Sequence, residues 1–203
     1  MKSRRCSPAG PRLARTRIPE HYLPWLLDTA SLTQRLIDAC RSEFRVHVLN
    51  QDWDRPRPDE ARALGMRAQS RALVRQVQLL CGGRPWVYAR TLLPRATLTG
   101  PERRLAHLKS RSLGAVLFAD PTMQRGRTEI VRLRPADDLY TLAAQTLDAL
   151  PAEIWGRRTV FRLRGKPLLV SEFFLPEIGE FDAHHPGCAP LRGALKRAQF
   201  HSR

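Results

Sequence analysis

Two stretches of this chain, RALVRQVQLLCGGRPWVYARTLLP (residues 71–94) and WGRRTVFRLRGKPLLVSEFFLP (155–176), each hold two β-rich runs joined by a short glycine-containing turn. Gly82, Gly83 and Gly165 permit the positive φ that tight hairpin turns require, so each stretch predicts an antiparallel hairpin. Four strands in two hairpins commit the chain to an antiparallel sheet. The segments around them read as further elements. YLPWLLDTASLTQRLIDACR sets an apolar anchor around Trp25, cap candidates Thr29 and Ser31, and then Leu32, Leu36, Ile37 and Cys40 at helical spacing. EFRVHVLNQDW alternates as a half-exposed strand, with Phe44, Val46 and Val48 on one face, and the proline-rich DRPRPDE reads as its break. TLTGPERRLAHLKSRSLGAVLF predicts a helix, a loop and a short helix; TEIVRLRP predicts a strand; ADDLYTLAAQTLDAL predicts a helix between Pro135 and Pro151. The fold class expected is α+β, a single domain whose antiparallel sheet is built from hairpins with helices packed on it.

Charge marks the boundaries of that domain. Of a net +16, the ends carry +10: residues 1–17 hold six Lys/Arg, residues 184–203 hold four, and neither has an acidic residue. The expectation is a basic tail over 1–20, a domain over 21–180 and a second basic tail over 181–203. The middle, at +6, suits an ordinary domain that attracts small anions. No zinc-finger spacing, basic-region heptad or aromatic RNA-binding signature accompanies the charge, so a nucleic-acid partner is not expected. The N-terminus lacks the apolar core of a secretory signal, and no window approaches the roughly 20 apolar residues that span a bilayer. A cytoplasmic protein without membrane insertion is expected. Cys6, Cys40, Cys81 and Cys188 are widely spaced, without paired metal spacing, and read as reduced thiols. His184, His185 and Cys188 form a weak metal candidate in the C-terminal tail. A glycine-rich phosphate loop, a nucleophile elbow and a zincin helix are all missing from the sequence, which disfavours nucleotide cofactors, serine hydrolysis and zinc proteolysis.

PLLVSEFFLP (167–176) contains one carboxylate, Glu172, among apolar neighbours on both faces of a strand. Removing an ionised carboxylate from water costs several kcal/mol unless it is paired. Period two places Arg75 with Leu73, Val77 and Leu79, so it also points with an apolar set. On the partner strand Trp86, Tyr88, Arg90 and Leu92 share a face opposite to Val87, Ala89, Thr91 and Leu93. Two readings follow. Glu172 and an inward arginine such as Arg75 form a buried ion pair, or both line a pocket and hold opposite ends of a small anion.

SLTQRL, ALVRQVQLL followed by CGGRPWVYARTLLP, LTGPE, SLGAVLF, WGRR and GKPLLVSEFFLP stand in an order and spacing that resemble the bacterial chorismate lyases. The resemblance runs from about Pro24 to Pro176. It implies an antiparallel sheet with a buried ligand under mobile flaps, and a cofactor-independent loss of pyruvate from chorismate giving 4-hydroxybenzoate, the first committed step toward the ubiquinone ring. Chorismate and 4-hydroxybenzoate are thereby the implied partners, the product is expected to inhibit, and the protein to act as a monomer. Carried over by motif, Arg75 would pair with the ring carboxylate and Glu172 would contact the hydroxyl end. Leu113 would offer backbone contact near the carboxylate, Leu32 would pack on the ring from a flap, and Arg90 would serve substrate access or the second carboxylate. Members of the family often have methionine where this chain has Leu32, and the stretch 132–150 is longer than in the shortest members. The same fold resembles the ligand-sensing half of some bacterial transcription regulators, which makes a non-catalytic sensor the alternative reading.

Overall fold

The computed structural model describes residues 18–67 and 69–179; of the tails expected at either end, residues 1–17 and 181–203, with Cys6, Cys188, His184 and His185, lie outside the described residues, while Ile18 packs against the core and Glu20 begins a 3-10 turn. Among the described residues six strands form one sheet in the order β1-β2-β3-β6-β5-β4, with every neighbouring pair antiparallel. They are β1 (Phe44–Asp54), β2 (Ala72–Cys81), β3 (Arg84–Pro94), β4 (Met123–Leu133), β5 (Ile154–Leu163) and β6 (Lys166–Phe174). The two hairpins anticipated from the glycine turns are β2–β3 and β5–β6, and β3 pairs with β6 at the centre. The expected α+β class is the one observed.

Five short α-helices among the described residues pack on the sheet: α1 (Leu23–Leu27), α2 (Leu32–Ala39), α3 (Pro58–Leu64), α4 (Leu113–Phe118) and α5 (Asp138–Ala144). A 3-10 segment, Gly100–His107, occupies the place where the sequence suggested a full helix. Helix α3 arises in the stretch read as a break. Pro58 starts it, where a missing N–H costs nothing, Asp59 and Glu60 fill the first turn, and Gly65 closes it at φ 64°. Helix α5 ends seven residues before Pro151 and buries Leu139, Tyr140, Ala143 and Ala144, while Leu147 packs against the same cluster from beyond the helix.

Each face of the sheet is covered by its own helices. On the first, α1 and α2 bury Trp25, Leu26 and Leu36 against Leu79, Val87, Trp155 and Phe174, while the 3-10 segment and α4 bury Leu105 and Leu117 against Leu93, Phe161 and Val170. On the second, α3 packs Leu64 on Val74, Leu92 and Leu169, and α5 packs on Tyr88, Phe173 and Leu175. The long stretch 132–150 thus places its helix on the second face. Trp86 corrects the alternation read from sequence: β3 has one extra residue between the partners of Leu79 and Leu80, and at this bulge Trp86 joins the cluster of Val87 instead of that of Tyr88.

The cysteines correct the expectation of reduced thiols. Cys40, just beyond α2, and Cys81, at the end of β2, form a disulfide with Cα atoms 5.7 Å apart across a sequence separation of 41. Only the packing of α2 over the β1–β2 edge makes them neighbours, so their spacing in sequence carried no signal.

Candidate active site

The two apolar clusters on the first face leave a gap, and polar side chains stand among the apolar sheet residues that floor it. Across the floor, Arg75 and Thr91 lie in one row with Val170, and Ala89, Glu172 and Arg157 lie in the next. Helices α2 and α4 roof the gap with Leu32, Thr33, Leu113 and Leu117. The resulting cavity holds about 620 Å³ free of atoms, a figure that includes the part continuous with open solvent.

The roof is built by local sequence. Ser31 and Ser112 cap α2 and α4, accepting from the backbone N–H of Gln34 and Ala115. The caps bring the two helix starts together, and the Thr33 and Ser112 hydroxyls share a hydrogen bond of 2.6 Å. Gly114 is required there: a Cβ at this position would stand 2.7 Å from Thr33 Oγ1. The first turns of α2 and α4 are therefore clasped to each other over the floor.

Of the residues singled out from sequence, Leu32, Arg75, Leu113 and Glu172 line this cavity. Arg90 does not. It lies on the second face, where its Nε and Nη2 donate to Glu60 at 2.8 and 3.2 Å, with both side chains buried. Burial opposes the Arg90 charge, but the hydrogen bond and charge of Glu60 outweigh it and hold the guanidinium pKa above its ordinary value.

Arg75 is 2% exposed and has no carboxylate within ion-pairing distance among the described residues. Its Nη1 donates to Gln51 Oε1 at 2.9 Å, and its Nη2 to the Lys109 and Arg111 carbonyls at 2.6 and 3.3 Å. Gln51 reaches this place because β1 carries a bulge between Val48 and Asn50 that shifts the later residues into register with Arg75. Burial lowers the Arg75 pKa, since no anion offsets the lost hydration.

Glu172 is paired, but not with the arginine considered from sequence. Its partner is Arg157, directly opposite on β5, whose Nε donates to Glu172 Oε2 at 2.6 Å. Arg157 also donates through Nη1 to the carbonyls of Trp25 and Asp28, so the turn after α1 is tied to the floor. A fourth charged group, Arg125 of β4, enters the cavity from the far side. Sequence reasoning missed both arginines. Arg157 was readable: a two-residue turn at Arg164–Gly165 pairs Leu163 with Lys166, and counting back along both strands sets Arg157 against Glu172. Arg125 was not, because no tight turn fixes β4 against β5 and a bulge intervenes between Arg125 and Thr128.

The cavity thus offers a buried unpaired cation, a carboxylate fixed by its own arginine, an apolar roof and a second arginine, a set suited to a small anion with an apolar body and a hydroxyl. The family model for chorismate lyase matches residues 16–182. The chain belongs to the chorismate lyase family. Among curated relatives, a probable chorismate pyruvate-lyase from Azoarcus sp. (strain BH72) is 46% identical over 172 residues, covering 83% of this chain and 88% of that protein. A second, from Methylococcus capsulatus, is 42% identical over 154 residues, covering 76% and 94%. Among solved structures, PhnF from Mycobacterium smegmatis superposes with a TM-score of 0.55 at 16% identity over 74% of this chain and 66% of that one, a likeness of fold alone. The chorismate lyase match encloses every cavity residue named above. Among the described residues no cluster of three or more His, Cys, Asp or Glu is arranged to hold a metal, and no helix is long and apolar enough to cross a membrane.

Proposed function

We propose that this protein is a chorismate lyase that releases pyruvate and 4-hydroxybenzoate, acts in the cytoplasm without a cofactor, and supplies the aromatic ring for ubiquinone. The observation that carries the reading is the pairing pattern in the cavity: Arg75 is buried without a carboxylate, while Glu172 is already held by Arg157. An aromatic carboxylate supplies the anion that Arg75 lacks, in the fork geometry a guanidinium favours. Glu172, fixed in place and acceptor-only when ionised, takes the hydrogen bond of the hydroxyl at the opposite end of the ring. Leu32 packs on the ring from α2, and the Leu113 backbone lies at the start of α4 beside it.

The reaction needs little more. The ether bond between the ring and the enolpyruvyl oxygen breaks, the hydroxyl-bearing ring carbon gives up its proton, and the enolpyruvyl methylene gains one to become the methyl of pyruvate. Atoms and electrons balance without an oxidant or reductant, and aromatisation drives the step. The protein's share is to hold the conformer in which the proton and the leaving group depart together, with charges already in position. Product leaves beneath the Thr33–Ser112 clasp, which favours slow release and inhibition by 4-hydroxybenzoate.

Incubation of the purified protein with chorismate, without added metal or nucleotide, tests this. Equimolar 4-hydroxybenzoate and pyruvate are expected. Thermal stabilisation by chorismate without turnover would instead assign the cavity to a ligand sensor.

A further inference from the structure

The cavity holds three guanidinium groups, from Arg75, Arg125 and Arg157, and one carboxylate, Glu172. Arg157 and Glu172 neutralise each other at 2.6 Å. Arg75 and Arg125 meet only neutral acceptors. Arg125 Nη1 donates to the Thr29 carbonyl at 2.5 Å, while its Nη2 has long contacts of 3.3 Å to the Asp28 carbonyl and 3.5 Å to Thr128 Oγ1. Among the described residues neither arginine has a carboxylate within ion-pairing distance. Two guanidinium groups thus lack an ion-pair partner, one at each end of the floor, with Glu172 on β6 between them: Arg75 on β2, and Arg125 on β4, whose charge the carboxylates of Glu172 and Asp28 favour from beyond ion-pairing distance without offsetting its burial.

The position of Arg125 is built. Between Arg125 and Thr128 the β4 strand carries an extra residue relative to β5, and a Cβ on Gly126 would stand 2.8 Å from the Val160 carbonyl oxygen. The bulge therefore needs glycine, and it turns the strand where Arg125 leans over the Phe161 ring, 5.7 Å from its centroid. Burial, with the neighbouring Arg157 charge, lowers the Arg125 pKa, so an incoming anion would relieve an existing electrostatic cost.

We propose that Arg125 binds the second carboxylate of the substrate, the one on the enolpyruvyl side chain that departs as pyruvate. This rests on the chorismate reading and completes its charge balance, with two free guanidinium groups for a dianion. Chorismate carries its ring carboxylate opposite the hydroxyl-bearing carbon, and its enolpyruvyl ether on the carbon next to that one. With the ring carboxylate at Arg75 and the hydroxyl at Glu172, the enolpyruvyl group projects beyond Glu172 toward the β5–β4 side. Arg157 cannot take the role, being committed to Glu172 and to two carbonyls, and Arg90 lies on the opposite face. Once the ether breaks, pyruvate remains with Arg125 and 4-hydroxybenzoate with Arg75, so the two products are held by separate cations.

The test compares ligands that differ by that carboxylate. In Arg125→Gln, affinity for chorismate, read as KM where turnover occurs and as Kd by titration where it does not, should fall roughly 10- to 100-fold, the worth of one hydrogen bond to a charged group. Affinity for 4-hydroxybenzoate, which lacks the enolpyruvyl carboxylate, should stay within about twofold of the parent because only the first cation holds it. Arg125→Lys should recover part of the chorismate affinity, and it serves alone if the glutamine variant fails to fold. Parallel loss of both affinities, or no loss of either, would overturn the assignment. Failure of the lyase reading shows separately, as absence of turnover in the unsubstituted protein.

Discussion

Arg157 and Glu172 stand directly opposite each other on β5 and β6, and the arginine is the more buried partner, with side chains 2% and 20% exposed. The carboxylate that drew attention in the sequence therefore has two tasks: it compensates a buried cation from below and presents an oxygen to the cavity above. Glu172→Gln retains an acceptor for Arg157 but removes the charge. We expect a stability loss of about 2 kcal/mol, below the ~3–5 kcal/mol for stripping a buried pair of one partner, because the amide oxygen still accepts. Turnover should fall about 100-fold or more, as for removal of a preorganised electrostatic group. Urea unfolding and kcat measured on the same preparation check this; loss of activity only in proportion to the unfolded fraction would make Glu172 structural.

Arg75→Ala removes a buried cation that has no carboxylate within ion-pairing distance among the described residues. Affinity for both chorismate and 4-hydroxybenzoate should drop together, by about 10- to 100-fold, through loss of a charge-assisted contact. The same substitution releases the carbonyls of Lys109 and Arg111, so hydrogen exchange in residues 109–111 should rise. Unchanged product affinity would place the ring carboxylate elsewhere.

The Cys40–Cys81 disulfide closes a span of 41 residues and fixes the end of α2 to the end of β2. Chain-entropy arguments give it about 3–4 kcal/mol. Reductant should lower the urea midpoint accordingly, and Cys40→Ser with Cys81→Ser should show the lower midpoint with or without reductant. Because α2 carries Leu32 over the cavity, the reduced protein should also release 4-hydroxybenzoate faster in stopped-flow measurements.

Tyr88 is fully buried on the second face and donates to Gln76 Oε1 at 2.5 Å. Burial pushes its pKa up from 10.0 to about 12. The folded state thus holds the phenol proton more tightly than the unfolded state. That contribution is complete below pH 10 and is lost as pH rises toward 12. Stability should decline across this window, and Tyr88→Phe should flatten the decline while costing ~1 kcal/mol at neutral pH for the lost hydrogen bond. An unchanged alkaline slope in the variant would assign it to other groups.

The parts of this molecule that sequence made legible are those ruled by short-range geometry. The glycine turns located both hairpins, and period two set Arg75 and Glu172 among apolar neighbours, leaving an ion pair or a shared pocket open, while the family resemblance put both at one ligand. Where an extra residue interrupts a strand, that counting breaks: Trp86 changes face, Gln51 arrives beneath Arg75, and Arg125 turns inward beside Gly126. Helix α3 was hidden by its prolines, although Pro58 followed by Asp59 and Glu60 is what a helix start requires. Pairings set by packing alone, Cys40 with Cys81 and Arg90 with Glu60, had no local signature.

The strand order divides the sheet into two three-stranded meanders, β1 to β3 and β4 to β6, whose strands pair with each other only where β3 meets β6. Arg75 belongs to the first meander; Arg125, Arg157 and Glu172 belong to the second. Neither half owns a binding site. The junction joins residues as distant as Val87 and Phe174, so its formation carries a larger loop-closure cost than either hairpin. A ligand that bridges Arg75 to the second meander recognises only the docked chain, and at 100-fold excess over its Kd it adds about 2.7 kcal/mol to that state. Substrate supply would then govern how long the two halves stay joined, and so the lifetime of the protein against proteolysis.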